Sequence, residues 1–137
     1  NDNCYDNVAL PLEITEVDIK KRHDAVYDAL KAVELEDKVK QKAKDLSGGQ
    51  KQRLAIARSI VNQPLILFAD EPTGNLDSVT GEVVEKMLFD YASQHKATLI
   101  IVTHDQDLAD KCSMQIHIKD GRIERIDETK HAESQGH

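Results

Sequence analysis

The chain has 137 residues, 39% hydrophobic and 31% charged, enough for one folded domain with a buried core. Its 18 basic and 25 acidic residues leave a net charge of −7, which argues against a nucleic-acid surface, and 4% aromatic residues with no tryptophan argue against a base-stacking platform. The longest apolar runs, residues 64–69 and 97–102, are far too short to span a bilayer, and Cys4 and Cys112 make neither a disulfide framework nor a metal site, as expected for reduced thiols in a cytosolic protein.

In residues 1–14, Val8, Leu10, Leu12 and Ile14 alternate, which predicts an extended segment, although Pro11 argues against a central strand. Thr15-Glu16-Val17-Asp18 is a helix start, and Val26, Ala29, Leu30 and Val33 then recur at helical spacing, predicting a helix over about residues 16–34. Residues 35–45 are charged and short, one or two helical turns with a solvated face. Ser47 caps a helix running to about residue 62, whose buried side is Leu54, Ile56, Ala57 and Ile60. Pro64 helps to end it, and residues 65–69 form a buried strand. Pro72-Thr73-Gly74-Asn75 is a turn, and Ser78 caps a helix over about 79–94. Residues 98–102 are a second apolar strand, and Asp105 caps a short helix through about residue 111. Ile116 and Ile118 alternate with His117 and Lys119 before the hairpin signal Asp120-Gly121, and the tail from residue 128 is polar. This order predicts an α/β fold with a parallel-sheet core, a helical arm at residues 1–62, a core portion at 63–127, a C-terminal β-hairpin and a polar tail at 128–137.

Three places carry chemistry. Leu46-Ser47-Gly48-Gly49-Gln50 is a turn opening into a helix. Its glycines leave backbone N–H groups uncovered at the positive end of the helix dipole, which suits an anion. Asp70 and Glu71 follow an apolar strand, at the edge where open α/β sheets bind ligands. One carboxylate can serve Mg²⁺ and the other can polarise a water for attack on a phosphoryl group. His104 follows the second apolar strand, so it belongs to the same sheet edge and can donate to a phosphate oxygen. A lone Asp-Glu pair is usually two surface acids, but a five-residue apolar strand before it and Pro72-Thr73-Gly74 after it favour the functional reading. His23, His95, His117, His131 and His137 have no such setting.

Together, Leu46–Gln50 read as LSGGQ, Lys51-Gln52-Arg53, the strand ending in Asp70-Glu71-Pro72-Thr73, Asn75-Leu76-Asp77 and Thr103-His104-Asp105 resemble the ABC ATPase domain in order and spacing, along almost the whole chain. Asn7-Val8-Ala9-Leu10-Pro11-Leu12 and Pro72–Asp77 are similar to the branch that includes lipoprotein-release, macrolide-export and cell-division ATPases. The resemblance implies a partial P-loop NTPase fold and ATP with Mg²⁺ as cofactors. It implies Asp70 as the magnesium carboxylate, Glu71 as general base and His104 as the switch histidine at the γ-phosphate. Asp77 would lie in the D-loop at a dimer seam. Ser47, Gly48, Gly49 and Gln50 would grip the γ-phosphate of ATP held by the second ABC ATPase subunit of a head-to-tail dimer. The implied setting is peripheral, on the cytoplasmic face of a membrane, against transmembrane permease subunits.

No Gly-x-x-x-x-Gly-Lys-Ser/Thr occurs in the sequence. In the family that loop, the adenine-stacking aromatic and the Q-loop glutamine precede the helical arm, so the chain is expected to be the C-terminal part of such a domain, inactive alone, with an open sheet edge and exposed apolar faces. Two other readings compete: an ABC-type ATPase serving a non-transport complex such as cell division, and a non-catalytic fragment that offers its LSGGQ face to an intact ATPase.

Overall fold

The computed structural model describes residues 3–14 and 18–128. They form two compact units that divide between Ile100 and Ile101.

The first unit begins with α1 (Cys4–Ile14) and α2 (Ile19–Ala32). The extended segment expected over residues 1–14 is therefore a helix. Cys4, Val8 and Leu12 recur every four residues, and with Ala9 they make a buried stripe against the neighbouring helices. Pro11 lies inside this helix and can donate no bond to Asn7, a loss that the buried stripe outweighs. Asn3 caps the first turn, its side-chain oxygen accepting from the Asp6 N–H at 2.8 Å. The α2 core face is Val26, Ala29 and Leu30, with Val33 just beyond, as the helical spacing predicts. The expected start at Thr15, Glu16 and Val17 lies outside the described residues, and Asp18 is the residue preceding the helix. Tyr5, His23 and Tyr27 join α1 to α2 through tilted rings 4.6–6.1 Å apart.

Two short 3₁₀ turns, Glu36–Lys38 and Ala43–Asp45, lead to α3 (Gly48–Ile60). Leu54, Ile56, Ala57 and Ile60 are its buried residues, the four that the periodicity selects. Strand β1 (Ile66–Asp70) follows, then α4 (Ser78–His95) and β2 (Thr98–Val102). β1 and β2 are neighbours in a two-stranded parallel sheet, entered by a 2.8 Å bond from the Thr98 N–H to the Leu65 carbonyl.

The sheet departs from the buried strand expected at residues 65–69. Leu67 is buried, but Ile66 and Phe68 are 63% and 61% exposed, and Ile100 is exposed beside them. Alternation explains this: Leu67 faces the helices, and no described residue covers the opposite face. The exposed apolar face anticipated from the sequence is thus present.

The second unit contains a short helix, α5 (Gln106–Ala109), and an antiparallel hairpin of β3 (Met114–Lys119) and β4 (Arg122–Glu128). Asp120 and Gly121 turn it with φ of 53° and 75°, the left-handed pair that a two-residue hairpin needs. A register shift between His117 and Ile118 marks a bulge. No described helix is long and apolar enough to cross a membrane.

Candidate functional site

The first turn of α3 is held by a reciprocal cap. The Ser47 hydroxyl accepts from the Gln50 N–H at 3.1 Å, and the Gln50 side-chain oxygen accepts from the Ser47 N–H at 3.0 Å. Ser47 thereby spends its oxygen on the third helical position. The N–H groups of Gly48 and Gly49 have no partner among the described residues, and a Cβ on Gly48 would meet only open space. The turn therefore offers two bare donors on the positive end of a 13-residue helix. Behind it, the Arg53 Nε donates to the Val33 carbonyl at 3.0 Å, fixing α3 to the end of α2.

Gly49 is crowded where Gly48 is open. A Cβ there would lie 2.5 Å from the Thr80 methyl, so the turn sits directly on the first turn of α4. That helix is capped by Asp77, not by Ser78 as the sequence predicts. The Asp77 carboxylate accepts from the Thr80 N–H at 2.7 Å, and Ser78 is the first helical residue. Asp outcompetes Ser because its charge also complements the helix dipole. The bond from the Thr80 backbone is the main cause that holds the Asp77 carboxyl below the usual carboxylate range.

Asp70 ends β1 and is exposed. It opens on a cleft of 190 Å³ whose other walls include Gln52 and Ser59 of α3 and Pro72 of the loop. Glu71 is half-buried and takes φ of 46°, a left-handed conformation rare for a residue with a Cβ. Its carbonyl accepts from the Gly74 N–H at 3.0 Å, closing the Pro72-Thr73 turn, and a Cβ on Gly74 would press that same oxygen at 3.3 Å. The backbone reversal at Glu71 separates the two adjacent acids: Asp70 completes the strand and Glu71 starts the loop.

The first unit thus joins Ser47, Gly48, Gly49 and Gln50 to Asp77 through Thr80, and sets Asp70 beside the flank of the same helix. In the second unit, His104 is exposed and immediately precedes Asp105, whose carboxylate caps α5 by accepting from the Asp107 and Leu108 N–H groups. The Thr103 hydroxyl accepts from the Asp105 N–H at 3.0 Å, bracing the loop around His104. No group of three or more His, Cys, Asp or Glu residues that could enclose a metal occurs among the described residues. A single exposed carboxylate such as Asp70 nevertheless suits Mg²⁺, which takes one or two carboxylates and fills its shell with water and phosphate oxygens. Thr80 was missed in the sequence. Its signal was the Asp77-x-x-Thr80 spacing, which places it third in the helix that Asp77 caps.

The model of the ABC transporter family matches residues 2–74. The chain is 45% identical over 117 residues to the ABC transporter ATP-binding protein YvrO of Bacillus subtilis, covering 85% of this chain and 51% of that one. It is 38% identical over 123 residues to the lipoprotein-releasing system ATP-binding protein LolD of Treponema denticola, covering 90% and 54%. A solved dimeric structure, the post-hydrolysis state of the ATP-binding cassette MJ0796 bound to ADP and Pi, superposes with a TM-score of 0.80 at 38% identity. That match covers 92% of this chain and 56% of the cassette. The chain therefore has the cassette's P-loop NTPase architecture, and it spans about half the length of the curated relatives it matches.

Proposed function

The chain belongs to the ABC transporter family, and from that premise we propose that it is the signature-bearing part of an ATPase subunit that drives transport through membrane partners. The observation that carries this reading is the Ser47–Gln50 cap, which leaves the Gly48 and Gly49 N–H groups bare at a helix start. Two bare donors on a positive dipole end suit the γ-phosphate of an ATP brought by a second subunit, and the relative solved as a dimer with ADP and Pi supports that arrangement. The match to a lipoprotein-releasing ATP-binding protein supports transport as the work done.

In this reading Glu71 accepts a proton from the attacking water, and the water oxygen displaces ADP from the γ-phosphorus. His104 donates to a γ-phosphate oxygen and orients it. Asp70 holds Mg²⁺, which when bound neutralises charge on the phosphates. Asp77 stands at the seam between subunits. Hydrolysis removes the phosphate that the Gly48 and Gly49 amides grip, so the seam loosens, and permease subunits seated on residues 1–62 at the cytoplasmic face of the membrane feel the change.

This chain carries no phosphate-binding loop of the Gly-x-x-x-x-Gly-Lys type, so by itself it holds Mg-ATP weakly. Calorimetric titration of the chain with Mg-ATP is expected to show no micromolar site. In a cassette of the relatives' length that contains this sequence, Glu71→Gln is expected to trap an ATP-bound dimer by gel filtration. Hydrolysis by that variant at the unaltered rate would refute the assignment of the base.

A further inference from the structure

Two contacts meet at Thr80. Its N–H donates to the Asp77 carboxylate at 2.7 Å. Its γ-methyl occupies the space where a Cβ on Gly49 would stand, 2.5 Å from that position. A helical threonine has two accessible χ1 rotamers. In the rotamer that the structure holds, the methyl is turned toward Gly49.

We propose that Thr80 is a positioning residue that locks the Ser47–Gln50 turn to the Asp77 cap, so that the two elements move as one body. The proposal rests on the reading that both elements face ATP across a subunit seam. It adds the part that sets their spacing within one subunit. Gly49 is then glycine because the threonine methyl stands where its side chain would be, while the open position of Gly48 is kept for the ligand.

Two substitutions divide the roles of Thr80. Thr80→Ser keeps the hydroxyl and removes the methyl. Thr80→Val keeps the branched shape and removes the hydroxyl. In this chain, Thr80→Ser is expected to speed amide hydrogen exchange at Gln50 and Lys51, whose N–H groups bond Ser47, by about tenfold, with exchange through residues 54–60 unchanged. Thr80→Val keeps a methyl at that place and the backbone bond to Asp77, and is expected to leave the same two amides near the parent rate. Gly49→Ala is expected to lower the unfolding midpoint by about 5 °C, and adding Thr80→Ser is expected to recover at least half of that loss. Equal exchange in all variants, acceleration spread evenly along α3, or strictly additive midpoints would overturn the lock.

The ATP half has its own measurement. In a cassette of the relatives' length, Thr80→Ser is expected to raise KM for ATP about fivefold with kcat within about twofold, a split that general destabilisation would not produce. An unchanged KM alongside the expected exchange and rescue would leave the contact standing and overturn the ATP-facing reading alone.

Discussion

The Tyr91 hydroxyl donates to the Pro64 carbonyl oxygen at 2.9 Å, tying α4 back to the chain two residues ahead of the strand–loop–helix stretch that carries Asp70, Glu71 and Asp77. His95 stacks on the Tyr91 ring with centroids 4.2 Å apart, and its Nδ1 bonds the Tyr91 carbonyl at 3.1 Å. Burial holds the Tyr91 hydroxyl above its ordinary pKa, so it remains a donor through the physiological range. Tyr91→Phe keeps the ring and removes the bond, leaving the Pro64 carbonyl to find another donor. A loss of about 1 kcal/mol in urea unfolding is expected, with the slope unchanged. A midpoint equal to that of the parent chain would mean that water replaces the hydroxyl at no cost.

The Asp77 cap predicts a particular acid response. Its carboxyl titrates below the ordinary carboxylate value because the folded chain supplies donors to the charged form, the Thr80 backbone first. A depressed folded pKa contributes stability that is fully present above the unfolded value, about 4, and is lost as pH falls through the lower folded value. Asp77→Ala should therefore reduce the thermal midpoint at neutral pH, and the gap to the parent chain should close as the pH is taken below about 4. Asp127, lowered chiefly by its bond from Arg125 and also by His117, stays in both chains and cancels in the comparison. A gap that widens on acidification would show that the cap works through shape and not charge.

Much of this arrangement was legible in the sequence because it is local. The buried positions of α2 and α3 follow from a period of 3.6, and the Ser47–Gln50 cap and the Asp120-Gly121 turn follow from residue chemistry at fixed spacing. Residues 1–14 were misread because Val8, Leu10 and Leu12 satisfy a period of two as well as Cys4, Val8 and Leu12 satisfy a helix, and only packing on α2 and α3 decides between them. The Gly49–Thr80 contact joins residues 31 apart in the chain, so no pattern within either helix could reveal it. The left-handed turn at Glu71 was hidden for another reason: the loop imposes it against the residue's own preference.

The exposed face of β1 gives a prediction about solution behaviour. Ile66 and Phe68 stand side by side on that face, with Ile100 of the neighbouring strand also exposed. Uncovered apolar strands in a sheet of two recruit other chains. Ile66→Lys with Phe68→Lys should leave the folding free energy of this chain within about 1 kcal/mol, since neither side chain is buried. The same pair should shift light scattering toward monomer. Loss of the cooperative unfolding transition in that variant would mean that the face is packed in solution.

Glu71 sits at φ of 46°, where a Cβ crowds the backbone and glycine does not. The position is therefore a direct test of whether strain is retained for chemistry. Glu71→Ala removes the carboxylate and keeps the strain, while Glu71→Gly removes both. Glycine is expected to be the more stable of the two by about 1 kcal/mol, less a few tenths for its larger unfolded-state entropy. On the proposed role of Glu71 as proton acceptor, neither variant should support hydrolysis when placed in a cassette of the relatives' length. If the glycine variant gains stability and loses turnover, the sequence is holding an unfavourable backbone angle to keep an acid at the start of this loop. If alanine and glycine unfold at the same denaturant concentration, the turn that the Gly74 N–H closes onto the Glu71 carbonyl carries the conformation without strain, and the acid is there at no conformational cost.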